Sequence, residues 1–197
     1  GTFNNWHVPK KLLPFTKLGK WAVSTGDCYG HQQKWLGLTT TQSHRDYILY
    51  TSFIRPMNTS ERDFVLSYTL RMNPFVDCSG QFVKIMDSNS DMNRFNKELP
   101  FAIKFGPDIC GPSFKRTHVV IMYKGKEYET NRPIGVIKDP FTHSYTLIIR
   151  KNNSYAVLID GEIADESTLE ERFNFTQNEQ KATKDYVETN RQKSIQG

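Results

Sequence analysis

No apolar run in this 197-residue chain approaches the roughly 18 residues that a membrane-spanning helix needs. With a mean hydropathy of -0.60, a helical membrane span is excluded. No run of five basic residues occurs. The excess of 26 Lys and Arg over 21 Asp and Glu, a net charge of +5, is spread over short pairs such as Lys10-Lys11, Lys115-Arg116 and Arg150-Lys151. That pattern, with a pI near 9.0, permits attraction to an anionic polymer or membrane surface but marks an interspersed surface, so no nucleic-acid partner is expected. There is no P-loop, dinucleotide glycine fingerprint, GxSxG elbow, HExxH or CxxC. Phosphate-cradling loops, zinc ribbons and dithiol redox motifs therefore have no support. Neither an initiating Met nor an apolar leader precedes Gly1, so a signal peptide is expected to have been removed or trimmed.

What is present is a globular composition: 13% aromatic and 37% apolar residues, too rich for disorder. The length suits one domain, or one with a small appendage. Of three cysteines, Cys78 and Cys110 each sit beside a glycine turn, Cys78-Ser79-Gly80 and Cys110-Gly111-Pro112. A bridge between them would stabilise by about 3–4 kcal/mol and leave Cys28 over. Three sequons, at Asn58, Asn152 and Asn174, fit a secretory-pathway chain.

The middle of the chain reads as strands. Phe64 to Arg71, Phe82 to Met86 and Phe101 to Phe105 are β-rich, and Asp87 to Glu98 is a polar loop. Four further runs follow: His118 to Tyr123, Lys126 to Glu129, Ser144 to Arg150 and Tyr155 to Ile159. Turn signals lie at Lys124-Gly125, Asn152-Asn153 and Asp160-Gly161; the last two suit the positive φ angles of type I′ hairpins. Only Gln177 to Lys193 favours helix, and its few apolar positions make it a weakly anchored one. The expected class is an all-β jelly-roll sandwich with a C-terminal helix.

Glu162-Ile163-Ala164-Asp165-Glu166 superficially resembles the acidic strand of laminarinase-type hydrolases. Acids at i, i+2 and i+4 would share a strand face, but the central position is Ala164. The segment is read as a hairpin exit with solvated charges. A glycoside hydrolase that loses turnover on Glu162→Gln is the least favoured reading, and no enzymatic activity is expected. His118 and His143 begin apolar strands and are read as hydrogen-bonded structural imidazoles. Bridging Cys78 and Cys110 would draw Phe82, Lys84, Phe101 and Asp108 to one surface. Aromatic faces with a few polar groups suit the C–H face and hydroxyl rim of a sugar.

The string Lys104-Phe105-Gly106-Pro107-Asp108-Ile109-Cys110-Gly111-Pro112, with Tyr123-Lys124-Gly125-Lys126 and Phe141-Thr142-His143-Ser144-Tyr145-Thr146-Leu147-Ile148, resembles the calreticulin–calnexin family of endoplasmic-reticulum lectin chaperones. Upstream, Gly26-Asp27-Cys28-Tyr29-Gly30 and Gly37-Leu38-Thr39-Thr40-Thr41-Gln42 also fit. The resemblance runs from about Leu18 to Phe175.

The resemblance implies a concanavalin-like jelly roll and a Cys78–Cys110 disulfide; the expected domain covers residues 1–176, with the helical tail read above over 177–197. It implies a site for monoglucosylated N-glycans on the concave sheet, from Gly80, Phe82, Lys84, Phe101, Lys104 and Asp108. Tyr is usual in the family where this chain has Phe82 and Phe101, and Met where it has Lys104. Two lost phenolic hydrogen bonds, at ~0.5–1.5 kcal/mol each, imply binding weakened about five- to hundredfold. The resemblance also implies a Ca2+ ion held partly by backbone carbonyls of the loop from His31 to Leu36, with Lys34 and Leu36 as candidates. That loop has no carboxylate, a poor match to a hard cation. The family's proline-rich arm, acidic tail and retrieval tetrapeptide have no counterpart here, so an abbreviated piece or a divergent member is expected. The implied partners are glycoprotein or unfolded-protein clients in the endoplasmic-reticulum lumen. The alternative is a secreted or cell-surface protein-binding module that keeps the scaffold without lectin activity.

Overall fold

The computed structural model describes residues 5–10, 17–24, 37–92 and 99–175. The helix expected over Gln177 to Lys193 lies outside them, as do Cys28 and the loop holding Lys34 and Leu36. The chain divides into two compact units, residues 1–57 with 87–100, and residues 58–86 with 101–197.

In the first unit, β1 (Trp21–Ser24) pairs antiparallel with β2 (Gly37–Thr40). Trp21 meets Tyr47 edge-on with ring centroids 5.2 Å apart. The Tyr47 hydroxyl accepts from the backbone N–H groups of Thr41 and Gln42 at 3.0 and 2.6 Å. That phenol satisfies two amides of an exposed turn that would otherwise rely on water.

The second unit carries two antiparallel sheets. One runs β11-β10-β9-β3, formed by β3 (Phe64–Arg71), β9 (Thr142–Ile149), β10 (Ser154–Ile159) and β11 (Glu162–Thr168). The other runs β4-β6-β7-β8, from β4 (Cys78–Gly80), β6 (Phe101–Cys110), β7 (Phe114–Tyr123) and β8 (Lys126–Glu129), with β5 (Val83–Met86) also paired to β6. Alternation decides which side chains enter the core. Phe64, Ile103, Phe105, Val119, Tyr145, Leu147, Tyr155 and Val157 are buried in one cluster. Each contributes on the order of 1.5–3 kcal/mol by leaving water. A short helix, α1 (Leu169–Phe173), buries Phe173 against them. Thr168 caps its start by accepting from the Glu171 N–H at 3.2 Å.

The turns follow their chemistry with one correction. Lys124-Gly125 and Asp160-Gly161 both have positive φ at both positions, as type I′ hairpins require. At Asn152-Asn153 only Asn153, with φ 63°, is left-handed. There the Asn153 N–H donates to the Arg150 carbonyl at 2.9 Å, so the connection is a longer loop closed by one left-handed residue. The segment from Glu162 to Glu166 also differs from expectation: it is part of β11, and Asp165 is buried. A register shift against β10 between Val157 and Leu158 inserts an extra residue. That changes the parity the alternation assumed. Asp165 takes the Tyr155 hydroxyl as donor and holds Arg172 at 2.9 Å.

Candidate functional site

The site is assembled on the outer face of β4, β5, β6 and β7. Gly80 pairs with Asp108 in the register of β4 with β6, and the Cys78–Cys110 disulfide closes the same pairing. Gln81 then donates its N–H to the Pro107 carbonyl at 2.9 Å, carrying the chain from β4 to β5 without leaving β6. Gly106, with φ +147°, permits this passage, because a side chain there would collide with the Gln81 carbonyl and the Tyr68 hydroxyl.

Phe82 leaves this crossing with its ring over Gly80, beside Asp108. It meets His118 edge-on at 5.6 Å, and Lys104 Nζ stands 4.0 Å above its centroid. Lys84 pairs across to Lys104 and places its Nζ 4.8 Å from the Phe101 centroid. Phe101 reaches this face through a bulge. Ile85 pairs with Ile103, but Met86 pairs with Phe101, so Ala102 is the extra residue. Simple alternation would put Phe101 with the core side chains Ile103 and Phe105; the bulge turns it toward Lys84. Burial, then the nearby Lys104 charge, lowers the Lys84 pKa, against a raising influence from Glu127.

The expected residues Gly80, Phe82, Lys84, Phe101, Lys104 and Asp108 therefore lie on one continuous face. A further group was not assigned to this face from sequence, although His118 was read as a hydrogen-bonded structural imidazole. His118 is buried between Phe82 and Phe114. Its Nδ1 bonds to Glu129 and its Nε2 lies 3.3 Å from Asp108 Oδ2 without aligned hydrogen-bond geometry. Arg116 stacks on Phe114 at 4.9 Å and approaches Glu129 at 3.7 Å. The missed signal was the spacing Phe114, Arg116, His118, which a period of two places on one face.

Outside this face, the other histidine forms a clamp. His143 Nδ1 bonds to Asp160 at 2.5 Å and Nε2 to Asp139 at 2.8 Å. Among the described residues no group of three or more His, Cys, Asp or Glu could hold a metal ion. No helix among the described residues is long and apolar enough to cross a membrane.

The face defines a class: an all-β sandwich with an aromatic and charged platform on one sheet, suited to binding. The family model of the calreticulin family matches residues 11–193. The chain is 38% identical to Homo sapiens calreticulin over 175 residues, 89% of this chain and 41% of that protein. It is 37% identical to Mus musculus calreticulin-3 over 161 residues, 82% of this chain and 42% of that protein. The solved T. cruzi calreticulin globular domain superposes with a TM-score of 0.78 at 33% identity, covering 87% of this chain and 63% of the other. This chain belongs to the calreticulin family, and its fold is that family's jelly roll. It spans about two-fifths of the length of these curated relatives.

Proposed function

We propose that this chain is a lectin-chaperone domain that binds glycoprotein or unfolded clients in the endoplasmic-reticulum lumen, using the outer face of the β4–β8 sheet for a terminal sugar of a monoglucosylated N-glycan. One observation carries the reading: Gly80, Phe82, Lys84, Phe101, Lys104 and Asp108 meet on a single face, although three strands and the link between β4 and β5 supply them. The aromatic rings offer apolar faces to sugar C–H groups. Asp108, part-exposed on this face, supplies a polar partner for hydroxyls. Neither phenylalanine has a hydroxyl to donate, so affinity for a neutral sugar is reduced. Binding needs no bond-making chemistry, and the domain is not proposed as an enzyme.

The reading is tested by calorimetric titration with a monoglucosylated high-mannose oligosaccharide. Asp108→Ala and Lys84→Ala should abolish binding. Phe82→Tyr with Phe101→Tyr should strengthen it about five- to hundredfold. A second reading, a secreted or surface protein-binding module without lectin activity, is favoured by the two lysine ammonium groups that cover the ring faces. It predicts no response to these substitutions and a marked response to salt.

A further inference from the structure

Lys84 and Lys104 stand directly opposite each other in the register of β5 and β6. Like charges placed so oppose one another across a sheet, and the depressed pKa of Lys84 reflects that neighbour after burial. Each ammonium also sits over an aromatic ring, Lys104 over Phe82 and Lys84 over Phe101. These are the ring faces that a sugar would use. A neutral sugar must therefore displace both cations from their π faces and return nothing of equal strength.

The acidic groups of the face lie mostly off the two lysine strands: Glu129 pairs with Val120, itself opposite Lys104, and Glu127 pairs with Met122. Lys104 and Asp108 are four residues apart on β6, about 13 Å at strand spacing. Asp108 lies beside His118, and Glu129 is engaged by His118 and Arg116. Glu127 is the carboxylate that acts on Lys84. The lysines and their rings thus lie on the β5 and β6 side of the face, and Glu127 and Glu129 lie on β8, across β7.

We infer that this face prefers, over neutral glucose, a sugar that carries an anionic substituent, a uronate carboxylate or a sulfate ester, held between Lys84 and Lys104. This rests on the proposal that the face binds a sugar, and it names the class of sugar. An anion would draw both ammonium groups off the rings into charge-assisted hydrogen bonds. The same movement would expose Phe82 and Phe101 to the sugar C–H face and relieve the repulsion between the lysines.

The test compares three oligosaccharides by calorimetry: one ending in glucose, one with glucuronic acid in its place, and one with a 6-sulfated glucose. Inorganic sulfate is the control. At low salt at least one acidic ligand should bind about five- to tenfold more tightly than the neutral one. That advantage should shrink with added salt and fall to within about twofold in Lys104→Met. The two acidic arms decide between carboxylate and sulfate. Should Lys104→Met fail to fold, the salt-dependent preference of the unaltered chain still decides. Equal or better binding of the neutral ligand overturns the inference and leaves the sugar site standing. Inorganic sulfate competing as well as the acidic sugars overturns it too, as a simple anion patch. No binding by any oligosaccharide overturns the inference together with the sugar-site reading.

Discussion

The ring of Phe82 occupies the space that a side chain at Gly80 would fill, directly beside the Asp108 carboxylate. A glycine is needed there for steric reasons, since its φ is not in the left-handed region. Gly80→Val should push the ring aside while the sandwich remains folded, because the displaced group is the movable end of a side chain. Titration with the glycan that the unaltered chain binds best should show a loss of about three- to tenfold. Cooperative thermal unfolding should persist.

The disulfide fixes β4 to β6 and closes a separation of 32 residues. Replacing Cys78 and Cys110 together by Ser should lower stability by about 3–4 kcal/mol, read as a shift in the denaturant midpoint. It should also weaken glycan binding, because Gly80 and Phe82 depend on β4 staying paired.

Asp165 is a structural acid. Its side chain is 3% exposed, bonded to Tyr155 and paired with Arg172. Asp165→Ala leaves the partly buried Arg172 without its carboxylate and should cost about 3 kcal/mol. Chemical denaturation measures this, and a glycan titration on the folded fraction should be unchanged.

The Asp139–His143–Asp160 clamp predicts a pH dependence. Burial lowers the His143 pKa, but hydrogen bonds to Asp160 and Asp139 and their charges outweigh it, so the imidazole is held above its ordinary 6.5. The His143 hydrogen bond holds both carboxyls below their ordinary 3.8. The raised histidine adds stability that is complete below 6.5 and lost as pH rises through its folded value. The lowered carboxyls add stability that is complete above 3.8 and lost as pH falls through theirs. The melting-temperature difference between the unaltered chain and His143→Ala should therefore be greatest between these two limits and narrow on either side.

Two sequons share one local geometry. Asn58 Oδ1 accepts from the Ser60 N–H and hydroxyl at 3.1 and 2.8 Å, and Asn152 Oδ1 accepts from those of Ser154 at 3.0 and 2.8 Å. Both asparagines are exposed. Expressed through a secretory pathway, the chain should carry glycans that mass spectrometry assigns to these positions. Asn58→Gln and Asn152→Gln should each remove one.

Much of the second unit was legible because its strands alternate plainly and its hairpins carry Gly or Asp at left-handed positions. Phe64 to Arg71 and the Asp160-Gly161 turn are examples. β6 was underread: it continues from Phe105 through Gly106-Pro107 to Cys110, where glycine and proline signalled an end. Pro107 is tolerated because its carbonyl, and not a missing N–H, bonds to Gln81. Phe101 and Asp165 show the other limit. Each lies beside a bulge, and one inserted residue reverses the face that a period of two predicts. Phe82 and Lys84 came from resemblance and spacing together, whereas His118 was legible only as a structural histidine.

The central claim is that sugar binds on the outer face of the sheet containing β6. The most direct test is an amide and side-chain NMR titration of the whole chain with the monoglucosylated oligosaccharide and its glucuronyl counterpart. Saturable shifts should be confined to Gly80, Phe82, Lys84, Phe101, Lys104, Asp108 and His118, and be larger for the acidic ligand. A folded spectrum that neither sugar perturbs, or shifts clustered on the β3–β11 sheet, would contradict it.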